Sequence, residues 1–264
     1  MSSNDSIKKT LVVALSLCLV CSVFVAAAAV GLKPIQKANK DLDRKQNILA
    51  AADMLDPNKS VDEIFESIET RLVDMSTGKF ATEAELASVG IDPSTYDQNV
   101  ASKDPALSVA LKPENDIASI KRRAKYSSVY LVKSGDQIER IILPVKGYGL
   151  WSTMYGFMAL EGDFNTVIGF GFYDQAETPG LGGEVDNPNW KALWKGKMVY
   201  NESGEAVLAL AKGPVDSADP QAAYKVDGLS GATLTSRGVT NLVHYWLGNQ
   251  GFGPFLSGLK GEGQ

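Results

Sequence analysis

Asp227-Gly228-Leu229-Ser230-Gly231-Ala232-Thr233-Leu234-Thr235-Ser236 lies directly before an apolar-periodic segment near the C-terminal end of the chain. Five of its residues are Ser, Thr or Asp and two are Gly, so hydroxyls and free backbone N–H groups collect where a helix begins. That arrangement suits a phosphate. A Thr hydroxyl in such a place can also carry the phosphate as an ester, which makes the attachment permanent. Val239, Leu242, Val243 and Trp246 follow at i, i+3, i+4 and i+7, predicting a helix over Ser236 to Leu247 with one buried face and Gly248 as its stop. On chemistry alone, an ordinary Ser/Thr helix cap explains the stretch equally well.

Two further segments would have to meet it to build a site. Gly147-Tyr148-Gly149-Leu150-Trp151-Ser152-Thr153-Met154-Tyr155-Gly156 follows a predicted strand and combines tight turns, hydroxyls and large aromatics; alone it reads equally as an aromatic corner of the core. Glu177-Thr178-Pro179-Gly180-Leu181-Gly182-Gly183-Glu184 is a loop whose glycines let backbone approach a flat ligand and whose Leu181 can cover its face; alone it is a turn-rich loop. Val185 stands where the third glycine of G-x-G-x-x-G would be, and no G-x-x-x-x-G-K-[ST] run occurs, so neither nucleotide fingerprint is present.

The formal net charge of −5, with no basic stripe to neutralise phosphates, argues against a nucleic-acid partner. The two cysteines, Cys18 and Cys21, both fall in an apolar run, Thr10 to Leu32, that contains no charged residue. A globular region without cysteine holds no disulfide framework, iron–sulfur cluster or thiolate zinc site, and no metal ligands are predicted. The sole histidine, His244, reads as a surface or satisfied helix residue, and no catalytic residue is predicted. As a helix the apolar run spans about 34 Å, enough for a hydrocarbon core of about 30 Å. Lys8 and Lys9 before it and the Ala26–Ala29 stretch also fit a cleaved signal peptide. The length of the run and the Lys33-Pro34 that follows favour a retained anchor in membrane lipid; either reading exports the C-terminal part.

Beyond the anchor, Gln36 to Leu55 reads as a separate juxtamembrane helix ending at Asp56-Pro57. Ser60 is a candidate N-cap with Glu63 three residues on, followed by the stripe Ile64, Phe65, Ile68 and Leu72, with Gly78 as a stop. Residues 81–125 are polar and turn-rich and close on the basic run Lys121-Arg122-Arg123, read as a solvated face. Strands are expected around a hairpin at Ser134-Gly135-Asp136, at Val167 to Tyr173 and at Ala206 to Ala211, with a short helix near Pro188-Asn189-Trp190. The expected organisation is a segment 1–9, a span 10–32, a helical and turn-rich region 33–125, a globular domain 126–256 and a Gly-rich tail 257–264; within the Gly-rich stretch from Gly248 to Gln264, Phe252, Phe255 and Leu256 pack or meet a partner. The fold class is α+β, a single N-terminal transmembrane helix followed by an exported domain with an antiparallel sheet and packed helices.

Trp-Ser-Thr-Met-Tyr-Gly, Glu-Thr-Pro-Gly-Leu-Gly-Gly and Asp-Gly-Leu-Ser-Gly-Ala-Thr-Leu-Thr-Ser occur in this order. The last resembles the flavinylation site of the FMN-binding domain family. Together with Ile117 to Val132 and the N-terminal span, the three resemble the C-subunit family of the sodium-translocating NADH:quinone reductase. That resemblance implies covalent FMN esterified to Thr233. It implies that Ser230, Gly231, Ala232, Leu234 and Thr235 surround the phosphate, that Glu177, Thr178, Leu181 and Gly182 line the isoalloxazine, and that Tyr148, Trp151 and Ser152 close the pocket. Asp227 would be read by a separate flavin transferase during maturation, and Lys212 is a weaker candidate for offsetting charge. The implied setting is the bacterial inner membrane, with the N-terminus cytoplasmic and the domain 126–256 periplasmic. There the chain would relay electrons beside other subunits of a sodium-transporting respiratory complex that takes electrons from NADH to ubiquinone. The flavin subunit of the related ferredoxin:NAD oxidoreductase complex is one alternative; an exported binding or scaffold module without flavin is another.

Overall fold

The structure, a computed structural model, describes residues 6–262. Helix α1 (Ile7–Ala51) is followed by α2 (Val61–Phe65), strands β1 (Ile68–Asp74) and β2 (Lys79–Phe80), helices α3 (Glu83–Ser88) and α4 (Gln98–Ala101), and strand β3 (Ser108–Ala110). Then come β4 (Arg122–Ala124), β5 (Tyr126–Ser134), β6 (Gln137–Tyr148), β7 (Thr153–Glu161), β8 (Val167–Asp174), α5 (Pro188–Ala192), β9 (Ala209–Leu210), β10 (Lys225–Val226), α6 (Thr233–Leu247) and α7 (Gly253–Glu262). The chain forms two compact units, one ending at Arg44 and the other beginning at Lys45.

The expected anchor and juxtamembrane helix are one continuous helix, with Pro34 inside it. It ends at Ala51, short of the expected Asp56-Pro57, and Asp53 just beyond has φ 55°. Among the described residues, α1 is the one helix long and apolar enough to cross a membrane.

The second unit is built on a six-stranded antiparallel sheet in the order β2-β1-β5-β6-β7-β8. Its two faces are both covered, which is why β6 reads as the unbroken apolar run Ile141-Ile142-Leu143-Pro144-Val145 instead of alternating with polar residues. Ile141, Leu143 and Val145 join Val239, Leu242 and Trp246 of α6 in one core, and Ile142 joins Ile48 and Leu49 at the end of α1 in another. The predicted hairpin is present, with Ser134 paired to Gln137 and Gly135 in the left-handed region at φ 60°.

Several sequence expectations give way to this sheet. Ser60 does cap α2, accepting from the Glu63 N–H at 3.2 Å, but the helix stops at Phe65. Ile68 and Leu72, expected on its stripe, lie in β1, which pairs with β5 from Ile68↔Val132 to Asp74↔Tyr126. Long-range pairing outweighs the local helical period. The expected boundary at residue 126 is thereby crossed, because β1 lies inside the sheet. Arg122 and Arg123 are not a solvated face: the Arg122 Nε donates to Ser108 Oγ at 2.9 Å, and Arg123 donates to the carbonyls of Gln250 and Met75. The strand expected at Ala206 to Ala211 shortens to β9, which pairs in parallel with β10 and so delivers the chain to Asp227.

The expected tail is also part of the fold. Ser257 to Glu262 belong to α7, and Phe252, Phe255 and Leu256 are buried in the core beside Trp246. Residues 1–5 and 263–264 of the expected N-terminal segment and tail lie outside the described residues. Replacing Phe252, which is fully buried, by Ala should lower the unfolding free energy of the domain by about 3–5 kcal/mol. Chemical denaturation measures this, and a wild-type midpoint would contradict the packing role of the segment.

Candidate functional site

The Glu177 carboxylate gathers the site. Its Oε1 accepts the backbone N–H groups of Trp151 at 2.9 Å, Ser152 at 3.1 Å and Leu150 at 3.2 Å, and its Oε2 accepts the Thr235 hydroxyl at 2.7 Å. The Leu150 N–H also reaches Oε2 at 3.1 Å. Glu177 is 5% exposed and Thr235 wholly buried. Burial pushes the carboxyl pKa up, but the Thr235 hydroxyl and the three amides together outweigh it and hold the acid below its ordinary value. The β6–β7 turn, the loop after β8 and the first turn of α6 thus share one ionised acceptor.

Glycines make that convergence possible. A Cβ on Gly149 would lie 2.6 Å from Glu177 Oε1, and one on Gly182 would lie 2.6 Å from Thr235 Oγ1. Gly147 and Gly238 let α6 lie against the end of β6, since their Cβ atoms would stand 2.8 Å from Leu242 Cβ and 2.5 Å from the Tyr148 carbonyl. The Trp246 indole donates to the Lys146 carbonyl at 2.7 Å and fixes the far side of the same contact.

Above the buried tie, the surface changes character. Tyr148, Leu150, Trp151, Leu181 and Leu234 are all exposed, Trp151 by 66%. Leu181 Cδ2 would be 2.9 Å from a Cβ on Gly231, whose φ of 70° is left-handed, so the second loop meets the third segment there. Helix α6 begins at Thr233, earlier than the predicted Ser236, and its N-cap is Ala232, which supplies no side-chain hydrogen bond. The first-turn N–H groups therefore have neither an intrahelical acceptor nor a side-chain cap. Thr233, Ser230 and Gly231 are exposed beside them.

The thirteen predicted positions thus divide between an outer and an inner layer. Tyr148, Trp151, Thr178, Leu181, Ser230, Gly231, Thr233 and Leu234 are exposed. Glu177, Gly182, Ala232 and Thr235 are buried. Two expected roles change with this. Glu177 does not line an open face, and the Thr235 hydroxyl is not free for a phosphate, because each satisfies the other beneath the surface. Ser152 is half-buried, with its N–H on Glu177 and its Oγ accepting from the Ala176 N–H at 2.8 Å, so it braces the two loops. Thr178 closes its own loop, its carbonyl accepting from Gly183 at 2.9 Å and Leu181 at 3.1 Å. Asp227 accepts from the Val215 N–H at 2.8 Å, and its carbonyl holds the Trp190 indole at 2.9 Å. Lys212 is exposed, and His244 stands about 16 Å along α6 from Thr233 at 1.5 Å per residue. Leu150 and Gly149 were absent from the predicted set; the glycine between Tyr148 and Leu150-Trp151 was the available signal. Together the layers offer exposed apolar side chains beside helix-terminal N–H groups and the exposed Thr233.

Comparison with known proteins finds relatives that cover nearly the whole chain. A family model described as FMN-binding domain matches residues 149–248. The chain is 54% identical to the C subunit of the Na(+)-translocating NADH-quinone reductase of Pseudomonas aeruginosa, covering 99% of this chain and 100% of that one. It is 51% identical to the protein of the same name from Vibrio vulnificus, covering 100% and 99%. The crystal structure of Shewanella oneidensis NqrC superposes with a TM-score of 0.74 at 35% identity, over 85% of this chain and 99% of that one.

Replacing Glu177 by Gln keeps the shape but turns an amide NH2 toward donors. It should destabilise the domain by about 2 kcal/mol at neutral pH. Because the folded-state pKa is depressed, the stability contributed by the carboxylate is fully present above its unfolded value and is lost as pH falls through the folded one. The difference between the two proteins in urea denaturation should therefore shrink on acidification; a constant difference from neutral to strongly acidic pH would rule out the ionised tie.

Proposed function

The chain belongs to the C-subunit family of the Na(+)-translocating NADH-quinone reductase, and on that premise we propose that it is the flavin-carrying electron relay of such a complex, with FMN esterified to Thr233. The observation that carries this reading is the exposed Thr233 hydroxyl at the uncapped start of α6, beside exposed Trp151, Leu181 and Leu234. Full-length similarity favours this complex over the ferredoxin-linked alternative.

The residues fit the group chemically. N–H groups at a helix start favour an anionic phosphate through both hydrogen bonding and the helix dipole. Tyr148, Leu150, Trp151, Leu181 and Leu234 supply the apolar contact that a flat ring system needs. Bound FMN would supply the one- and two-electron chemistry. The chain's own task is then to hold, orient and expose. Glu177 fixes the backbone from Leu150 to Ser152, which sets where Trp151 stands, and through Thr235 it fixes the first turn of α6. Thr235, although two residues from Thr233, is withheld from modification because its hydroxyl is buried and already donating. An ester suits so open a site, since it retains the group without enclosing it and leaves the ring accessible to another subunit.

Formation of the ester joins Thr233 Oγ to the flavin-side phosphorus of a flavin phosphoanhydride while the bridging P–O bond breaks, the other half of the anhydride leaving as a phosphate monoester and the hydroxyl proton passing to a base or to water. A separate flavin transferase performs this step and reads the stretch that includes Asp227. With α1 anchored in lipid of the bacterial inner membrane and the N-terminus cytoplasmic, the globular unit stands in the periplasm, and NADH oxidation, quinone reduction and sodium movement belong to other subunits.

Intact-mass measurement after co-expression with a competent flavin transferase should show one added FMN phosphoryl group, lost in Thr233→Ala. An unmodified wild-type mass would overturn the reading. In spheroplasts, external protease should remove the region from Lys33 onward, and full protection would reverse the assigned orientation.

A further inference from the structure

Arg237 follows Thr233 by one turn of α6, and like Thr233 it is exposed. From the helix repeat, the two stand about 40° apart around the axis and about 6 Å apart along it, close enough for their side chains to meet. Leu234, on the apolar side of the site, is about 60° from Arg237. Cα–Cβ bonds in a helix tilt toward its N-terminus, so the stem of Arg237 starts out over the turn that begins at Thr233.

Every other arginine of the described residues is engaged. Arg71 lies over the Phe80 ring, Arg122 and Arg123 donate to the Ser108 hydroxyl and to distant carbonyls, Arg140 donates to the Ala52 carbonyl, and Arg44 also has a partner. Among the described residues, Arg237 makes no hydrogen bond, ion pair or ring contact. Its sign also runs against the helix, whose start carries the positive end of the dipole and favours Asp or Glu over Arg. Yet the first turn of α6 holds no acidic residue, and Arg237 is the sole Asp, Glu, Lys or Arg in the whole helix. A positive helix start and an uncommitted guanidinium on one exposed face are together suited to an anion. Neither nearby carboxylate supplies it: Glu177 is buried and already holds Thr235 and three amides, and Asp227 holds the Val215 N–H.

We infer that Arg237 is a positioning residue for the phosphodiester on Thr233, its guanidinium pairing with the two non-bridging phosphate oxygens. This rests on the reading of Thr233 as the point of FMN attachment. A phosphodiester keeps one negative charge on those two oxygens, and the planar fork of Arg matches such a pair in a bidentate contact. The first-turn N–H groups then hold the phosphate from the helix start and Arg237 from the turn beyond. Because Arg237 lies around the axis between Thr233 and Leu234, the pairing draws the phosphate toward the side of α6 that carries Leu234. A flexible tether is thereby given a direction. The contact also explains how α6 tolerates an arginine near its positive end, since the charge that opposes the dipole is neutralised once the ester is formed.

The test uses the full-length chain in detergent, carrying isotope-labelled arginine for NMR and co-expressed with a competent flavin transferase. The Arg237 Nε–H resonance, assigned by its loss in Arg237→Gln, should shift and resist solvent exchange in the flavinylated protein and should revert in Thr233→Ala. Urea denaturation gives a second readout whose sign depends on the flavin. Arg237→Gln should lower the folding equilibrium constant of the flavinylated chain by about 2–5-fold, while leaving the unmodified chain as stable as before or more so. A purely structural arginine would change both chains alike. An Arg237 resonance identical in flavinylated and Thr233→Ala protein, or an equal loss of stability with and without the flavin, would overturn the inference and leave the ester standing. An unmodified wild-type mass would remove the phosphodiester and overturn both readings together.

Discussion

The buried carboxylate of Glu177 is the constraint on which the second unit's functional surface depends. An ionised carboxylate taken out of water is tolerated only when its lone pairs are satisfied. Here the satisfying groups come from two other places: the turn between β6 and β7 and the first turn of α6. None of these elements can move without leaving a buried charge short of donors. The same constraint dictates glycine at 149 and 182, because a single Cβ at either position would occupy the space that the carboxylate or the Thr235 hydroxyl needs.

This inner layer explains why the outer one can be so bare. Trp151, Leu150, Leu181 and Leu234 stand exposed on backbone whose position is set from below, so their placement does not depend on mutual packing. The helix start above them is left uncapped, with Ala at the position where Ser, Thr or Asp would ordinarily satisfy the first N–H groups. A rigid polar base under an open apolar surface suits an electron carrier that must be approached by another protein.

Much of the site was legible because its signals are local and chemical. The run Asp227 to Ser236, the loop Glu177 to Glu184 and the aromatic turn after Gly147 could each be singled out by composition. Their order along the chain then identified the family. Their layering was not legible. Glu177 and Thr235 look, in sequence, like polar residues available to a ligand; only the fold reveals that they are each other's partners across fifty-eight residues. Likewise Ser230 and Thr233 look like helix caps, while the structure gives the cap position to Ala232.

The same division holds for the fold. The apolar run of α1, the periodicity of α6 and the Ser134-Gly135-Asp136 hairpin are patterns confined to neighbouring residues, and the sequence by itself determined them. Tertiary structure alone decided that Ile68 and Leu72 belong to a strand, that Arg122 holds the Ser108 hydroxyl and Arg123 the carbonyls of Gln250 and Met75, and that Phe252 and Phe255 close the core. Each of these depends on a partner far along the chain. Local preference amounts to a fraction of a kcal/mol per residue, whereas a seven-residue ladder or a buried aromatic ring contributes several, so where the two conflict the distant contact prevails.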